Sequence, residues 1–140
     1  MLLKEWGFIT LKILIPKDKD FFRYKNEVKK LYLENQDKIN DDNTFDFICK
    51  ETFFYLFLVD EKILGVIYFF QDDGKLYLNG FAVRKFLKEK LEALKLATTW
   101  FNCEIYAEAQ NKASAYCLKK VGFKKITERL YAYYPQFFPT

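Results

Sequence analysis

Two apolar runs separated by three residues constrain this chain more than anything else in it. Phe53 to Val59 and Ile63 to Phe70 flank Asp60-Glu61-Lys62. Neither alternates polar with apolar residues, so strands built from them need cover on both faces. Both are too short to cross a bilayer. They read as central strands of a sheet with helices on each side. Asp72-Asp73-Gly74 is a hairpin signal, and Leu76 to Val83 then completes an antiparallel meander.

The flanking segments supply the helices. Phe8 to Ile15 is β-rich and ends at Pro16. Asp18 or Asp20 can cap a helix with Phe21, Tyr24, Val28, Leu31 and Tyr32 on one face, running to about Asn35. Asn35 to Asn43 is a polar, solvated loop; its alternative reading is that Asp37, Asp41 and Asp42 attract a cationic amine. A short helix follows from about Thr44, with Phe45, Ile48 and Cys49 inward. Phe86 to Phe101 has helical spacing at Leu87, Leu91, Leu94 and Thr98, widened by Leu96 and Trp100. This helix crosses over to a strand at Glu104 to Ala107, which makes the last strand pair parallel. Lys124 to Tyr134 reads as a final strand, with an aromatic tail at Phe137 and Phe138. The expectation is a single α/β (α+β) domain over residues 1–140, a mixed central sheet flanked by helices on both faces.

Charge and cysteine usage exclude several classes. The net charge is +4 but mixed along the chain, which argues against a dedicated nucleic-acid surface. Cys49, Cys103 and Cys117 form no cluster and the chain has no His, so no metal site is expected. The three read as small buried hydrophobes of a reducing, cytoplasmic compartment. Lys4, Glu5 and Lys12 interrupt the start, unlike a secretion signal, and no membrane association is expected.

The most specific stretch is Asn111 to Phe123. Asn111 can cap a helix, Lys119 and Lys120 suit its last turn, and Gly122 can end it in a left-handed conformation. Ser114, Cys117, Leu118 and Val121 share one stripe. Asn111, Ser114, Lys120, Gly122 and Phe123 together resemble the late motif of the GNAT-type N-acetyltransferases. The resemblance covers Glu104 to Lys125 and extends to Phe53 to Val83. It implies acetyl-CoA as cosubstrate, held where two parallel strands splay apart, and direct attack by a small amine or a protein amino group. The cofactor contacts it implies are Phe81, Ala82, Val83, Arg84, Lys85 and Lys88 on one side. On the other they are Asn111, Ser114, Leu118 and Lys120. The family's first helices border the acceptor site, which makes Phe21, Phe22 and Tyr24 candidates there.

The chain also departs from the family. The glycines are Gly7, Gly65, Gly74, Gly80 and Gly122, so the family's Gly-rich pyrophosphate loop is missing. An ungapped match places Lys88, Leu91 and Ala93 there, with Arg84, Lys85, Lys88 and Lys90 as partial compensation at a helix start. The family's acid, a Tyr seven residues after the Asn, falls on Leu118. Tyr116 lies about 200° around the helix from that position, which leaves Tyr106, Tyr131 and Tyr133 as stand-ins. A base would be a carboxylate, Glu104 or Glu108, or Asp72 or Asp73 at the hairpin. The catalytic candidates are Tyr106, Glu108 and Glu104. Two functions follow: a divergent acyl-CoA-dependent N-acyltransferase, or a GNAT-fold module that binds a partner or forms a homo-oligomer without turnover. The first requires an open slot that Phe86 and Leu87 do not plug.

Overall fold

Among the residues described by the computed structural model, eight strands form one mixed sheet in the order β1-β2-β3-β4-β5-β6-β8-β7. The structure describes residues 2–6 and 9–135, with side chains from residue 11 onward. β1 (Leu2–Trp6), β2 (Ile9–Leu14), β3 (Phe53–Val59), β4 (Lys62–Asp72) and β5 (Lys75–Ala82) are antiparallel neighbours. Left-handed residues make the two tight turns, Asp60 and Glu61 before β4, Asp73 and Gly74 before β5. The meander inferred from the apolar runs is present and gains an edge strand, β1.

Cover on both faces follows from the unbroken apolarity of β3 and β4. On one face Leu56, Leu58, Val66 and Tyr68 pack against α1 (Phe21–Asn35) and α2 (Phe45–Glu51) through Val28, Tyr32 and Ile48. On the other, Phe57, Val59 and Leu64 meet Ala93 of α3 (Leu87–Ala97), while Phe69 joins Leu94 and Leu118. Neither aspartate before α1 caps it through a side chain. Asp20 sits at the cap without such a bond, and Asp18 accepts the Ile15 N–H at 2.9 Å to hold the preceding turn. Thr44 does cap α2, accepting the Phe47 N–H at 3.1 Å.

Two expected elements are shorter than their sequence patterns. α3 stops at Ala97 rather than Phe101 because Thr98 and Thr99 turn their hydroxyls back onto Lys95 O and Leu96 O. Trp100 then leaves the helix to stack on Phe57 and meet Tyr55, and Phe101 packs on Phe69. The final strand is a hairpin of β7 (Lys124–Lys125) and β8 (Leu130–Tyr133), turned where Leu130 O accepts the Ile126 N–H. Phe137 and Phe138 lie outside the described residues.

The crossover through α3 makes β5 and β6 (Ile105–Glu108) parallel, as the connection length requires. Their pairing covers only Leu76 with Ile105 and Tyr77 with Tyr106. Beyond these residues the two strands part. α4 (Lys112–Lys120) follows β6 and packs behind the gap.

Candidate functional site

The gap between β5 and β6 is a slot of about 300 Å³, at the lower end of small-molecule sites. Leu78 to Ala82 form one wall, and Ala107 and Glu108 with Asn111, Ser114, Cys117 and Leu118 form the other. Two glycines explain the parting. A Cβ at Gly65 of β4 would stand 2.6 Å from Phe81 O, and one at Gly80 of β5 would stand 2.6 Å from Val66 O. Only bare backbone permits this approach, which draws the end of β5 onto β4 and away from β6.

The back wall is ordered by its own cap. Asn111 Oδ1 accepts the Ser114 N–H at 2.8 Å, and Ser114 Oγ accepts the Asn111 N–H at 3.3 Å, a reciprocal capping box. Gly122, at φ +108°, ends the helix, and the Phe123 N–H returns to Leu118 O at 3.0 Å. Of the expected stripe only Leu118 is fully buried; Ser114 and Cys117 are half-buried because the slot lies open beside them, and Val121 is half-buried at the end of the helix.

α3 closes the far end. Val83 donates its N–H to Leu64 O, and its own carbonyl accepts from Lys90 Nζ at 2.8 Å. Lys90 and Cys117 both line the slot. Burial pushes the Cys117 thiol up, and the Lys90 ammonium opposes that shift. The helix begins at Phe86, whose left-handed backbone (φ 65°) supplies no side-chain cap. Its first closing bond is from Lys90 N to Phe86 O, which leaves the Leu87, Lys88 and Glu89 amides without helical partners. Phe86 packs toward Phe57 and Leu64, Leu87 is exposed, and neither lines the slot.

The structure brings together Phe81, Ala82, Asn111, Ser114, Leu118 and Glu108 on the slot walls. Val83 reaches the rim only through Lys90. Arg84, Lys85 and Lys88 are exposed around the start of α3, and Lys120 is exposed at the end of α4. Tyr106 and Glu104 pair with each other instead: the hydroxyl donates to Glu104 Oε2 at 2.7 Å, and that bond pushes the phenol up to about 12. Tyr131 is buried in the core and Tyr133 packs on Phe123, so no tyrosine is among the slot's lining residues. Asp72 and Asp73 stay exposed at the hairpin, Phe21 and Tyr24 lie in the core, and Phe22 points to solvent.

Sequence reasoning missed Gly65, the side chain of Asn79, and Lys38 and Ile39 of the loop after α1, which also line the slot. A glycine inside an otherwise apolar strand was the available signal for the first. Asn79 also borders a second cavity of about 670 Å³, between α2 and the sheet. There the 36–43 loop is tied down rather than loose. Tyr68 donates to Asp41 Oδ2, Tyr32 donates to Asn43 O at 2.7 Å, and Gln36 Nε2 donates to the same carbonyl at 2.9 Å. Burial and the Asp41 carboxylate raise the Tyr68 hydroxyl well above its ordinary value. Among the described residues no group of side chains could hold a metal ion, and no helix is long and apolar enough to cross a membrane.

No protein-family model matches the chain, and no curated protein matches it. Solved acetyltransferase structures do. One from Agrobacterium tumefaciens str. C58 superposes with a TM-score of 0.66 at 11% identity, over 96% of this chain and 95% of that one. A ribosomal-protein-S5-alanine acetyltransferase from Vibrio fischeri gives 0.65 at 11% identity, over 96% and 97%. An acetyl transferase from Salmonella typhimurium that modifies the N-terminal serine of 50S ribosomal subunit protein L7/L12 gives 0.56 at 13% identity, over 94% and 97%. At these identities the likeness is one of fold.

Proposed function

The chain has the fold of the GNAT-type acetyltransferases, and from that premise we propose that it is an acyl-CoA-dependent N-acyltransferase. The observation that carries this reading is the parallel pair β5/β6, bonded at two residue pairs and open beyond them, with the capped helix α4 behind. The pantetheine arm of acetyl-CoA fits such a slot, whose walls are mostly apolar and whose β5 edge is free of strand partners from Leu78 onward. Arg84, Lys85 and Lys88, with the unpaired first amides of α3, would hold the phosphates in place of a Gly-rich loop. Glu89, in the first turn and 9% exposed, opposes an anion there.

The chemistry asks little more of the chain. The amine nitrogen bonds to the acyl carbon, the C–S bond breaks, and the amine sheds one proton while the departing thiolate gains one. Glu108 on the slot wall is the proposed base, acting through water, and its carboxylate is held by Gln110 Nε2 at 3.0 Å. A thiol of ordinary pKa, about 8.5, leaves without a strong acid near neutrality. Lys38, Lys90 and Cys117 are proton-bearing side chains that line the slot. A small amine or a protein amino group is the proposed acceptor; two of the similar structures belong to enzymes that act on ribosomal proteins.

Calorimetry and thermal melting with acetyl-CoA test the reading. At a hundredfold excess over Kd, binding adds about 2.7 kcal/mol, raising Tm by roughly 8 °C for a chain of this size. No shift at millimolar acetyl-CoA sinks the proposal. The missing slot tyrosine favours a second reading, binding without turnover. That reading predicts the same thermal shift with no acylated product by mass spectrometry from any amine panel.

A further inference from the structure

One side chain touches both cavities. Asn79, on β5, lines the slot and the cavity under α2. It faces the α1/α2 side of the sheet, as does Phe81 two residues on. Its Nδ2 donates to Ile39 O at 3.1 Å in the loop after α1, and its Oδ1 accepts the N–H of Gly80 at 2.8 Å. Those two bonds fix the orientation of the amide, because the flipped form would set oxygen against carbonyl and NH₂ against N–H. Tyr68, opposite Asn79 in the β4/β5 register, bonds to Asp41. A polar chain thus runs from Ile39 through Asn79 to Gly80, with the Tyr68–Asp41 pair holding the same loop beside it.

The end of that chain matters because of where the Gly80 amide sits. Gly80 lies past the last β5/β6 pair and lines the slot. Val83 directs its N–H at Leu64 of β4, so by strand alternation the amide three residues earlier points the other way, to the slot side. A preorganised backbone N–H in a slot is the donor a developing oxyanion needs, and here it is already bonded to Asn79. Resting on the acyltransferase reading, we propose that Asn79 is a positioning residue. It covers the Gly80 amide and releases it to the acyl carbonyl when an acceptor displaces the Ile39–Asp41 loop. The arrangement would keep the thioester unpolarised, and so protected from water, until the second cavity is occupied.

The test compares wild type with Asn79→Ala and Asn79→Asp, whose carboxylate keeps the acceptor for Gly80 N–H. Affinities for acetyl-CoA and for free CoA are measured by calorimetry, thiol release without an amine by colorimetry, and exchange of the Gly80 amide proton by NMR. Asn79→Ala should favour acetyl-CoA over CoA by about three- to tenfold more than wild type does, the worth of one net hydrogen bond. It should also raise thiol release and speed Gly80 exchange, while Asn79→Asp, which loses the bond to Ile39 O but keeps the acceptor for Gly80 N–H, keeps Gly80 exchange close to wild type. An unchanged acetyl-CoA to CoA ratio in a folded Asn79→Ala protein that still binds CoA overturns the proposal. So does an aspartate variant whose Gly80 amide exchanges as fast as in the alanine variant. If Asn79→Ala does not fold, Asn79→Val, a better strand former without an acceptor, takes its place. Wild type that binds neither ligand overturns the acyltransferase reading instead, and unaltered Gly80 exchange in the alanine variant separately shows that Asn79 does not cover the amide.

Discussion

Two glycines separate what a residue reveals locally from what only its neighbours in space reveal. Gly122 has φ +108°, and a Cβ there would meet nothing closer than a Tyr133 ring carbon at 3.5 Å. Gly122→Ala therefore costs backbone strain alone, about 1 to 2 kcal/mol. At Gly65 a Cβ would stand 2.6 Å from Phe81 O and 2.7 Å from Ala82 Cβ, atoms held by the β4/β5 ladder. Gly65→Ala has to push two strands apart, and about 3 kcal/mol or more is expected. Denaturant titration of both variants should give that order, with Gly65→Ala also altering the slot; equal losses would refute the account of why β5 leaves β6. Gly122 was legible in the sequence because a capped helix before it fixed its role. Gly65 and Gly80 were not, since the contact that demands them lies between strands and leaves no local spacing pattern.

At the scale of elements, the parts read correctly are those whose signal is periodic or covalent. The unbroken apolarity of β3 and β4 demanded helices on both faces, and the α3 crossover demanded a parallel pair. The misread parts were decided by contacts that leave no periodic signal, local side-chain bonds as well as tertiary stacking. Trp100 and Phe101 continue a helical pattern, yet stacking on Phe57 and Phe69 pulls them out of α3. Lys124 to Tyr134 looks like one strand until Thr127, which accepts the Leu130 N–H, folds it into a hairpin. α4 allows a direct check, because a nine-residue helix is marginal by itself and depends on its cap and its packing. Asn111→Ala removes the side-chain half of the capping box, the acceptor for Ser114 N–H, and should cost about 1 kcal/mol in urea unfolding. Asn111→Asp, which keeps the acceptor for Ser114 N–H, should recover most of that loss; equal destabilisation by both would mean the box does not hold the helix.

At the scale of the molecule, the titrating groups that shift among the described residues all move upward. Burial raises Tyr24, Tyr55 and Cys117, and lifts the Tyr32 hydroxyl and the Cys49 thiol to about 12 from ordinary values of 10.0 and 9.0. Tyr68 moves further in the same direction. Such groups stay neutral in the native state, while in the unfolded chain the thiols ionise from about pH 9 and the phenols from about pH 10. Between those values and about 12 the native state binds more protons than the unfolded one, so stability falls as pH rises. Below about pH 9 these groups contribute their full stabilisation, and above it they lose it as the unfolded chain ionises. The midpoint of guanidinium unfolding should therefore begin to fall near pH 9 and keep falling to pH 11. Tyr55 isolates the cause, since its shift comes from burial alone. Tyr55→Phe should leave the midpoint at pH 7 nearly unchanged and flatten part of the alkaline decline. A midpoint that stays level from pH 8 to 11 would show that these hydroxyls and thiols are solvated, and that the sheet is not covered on both faces as described.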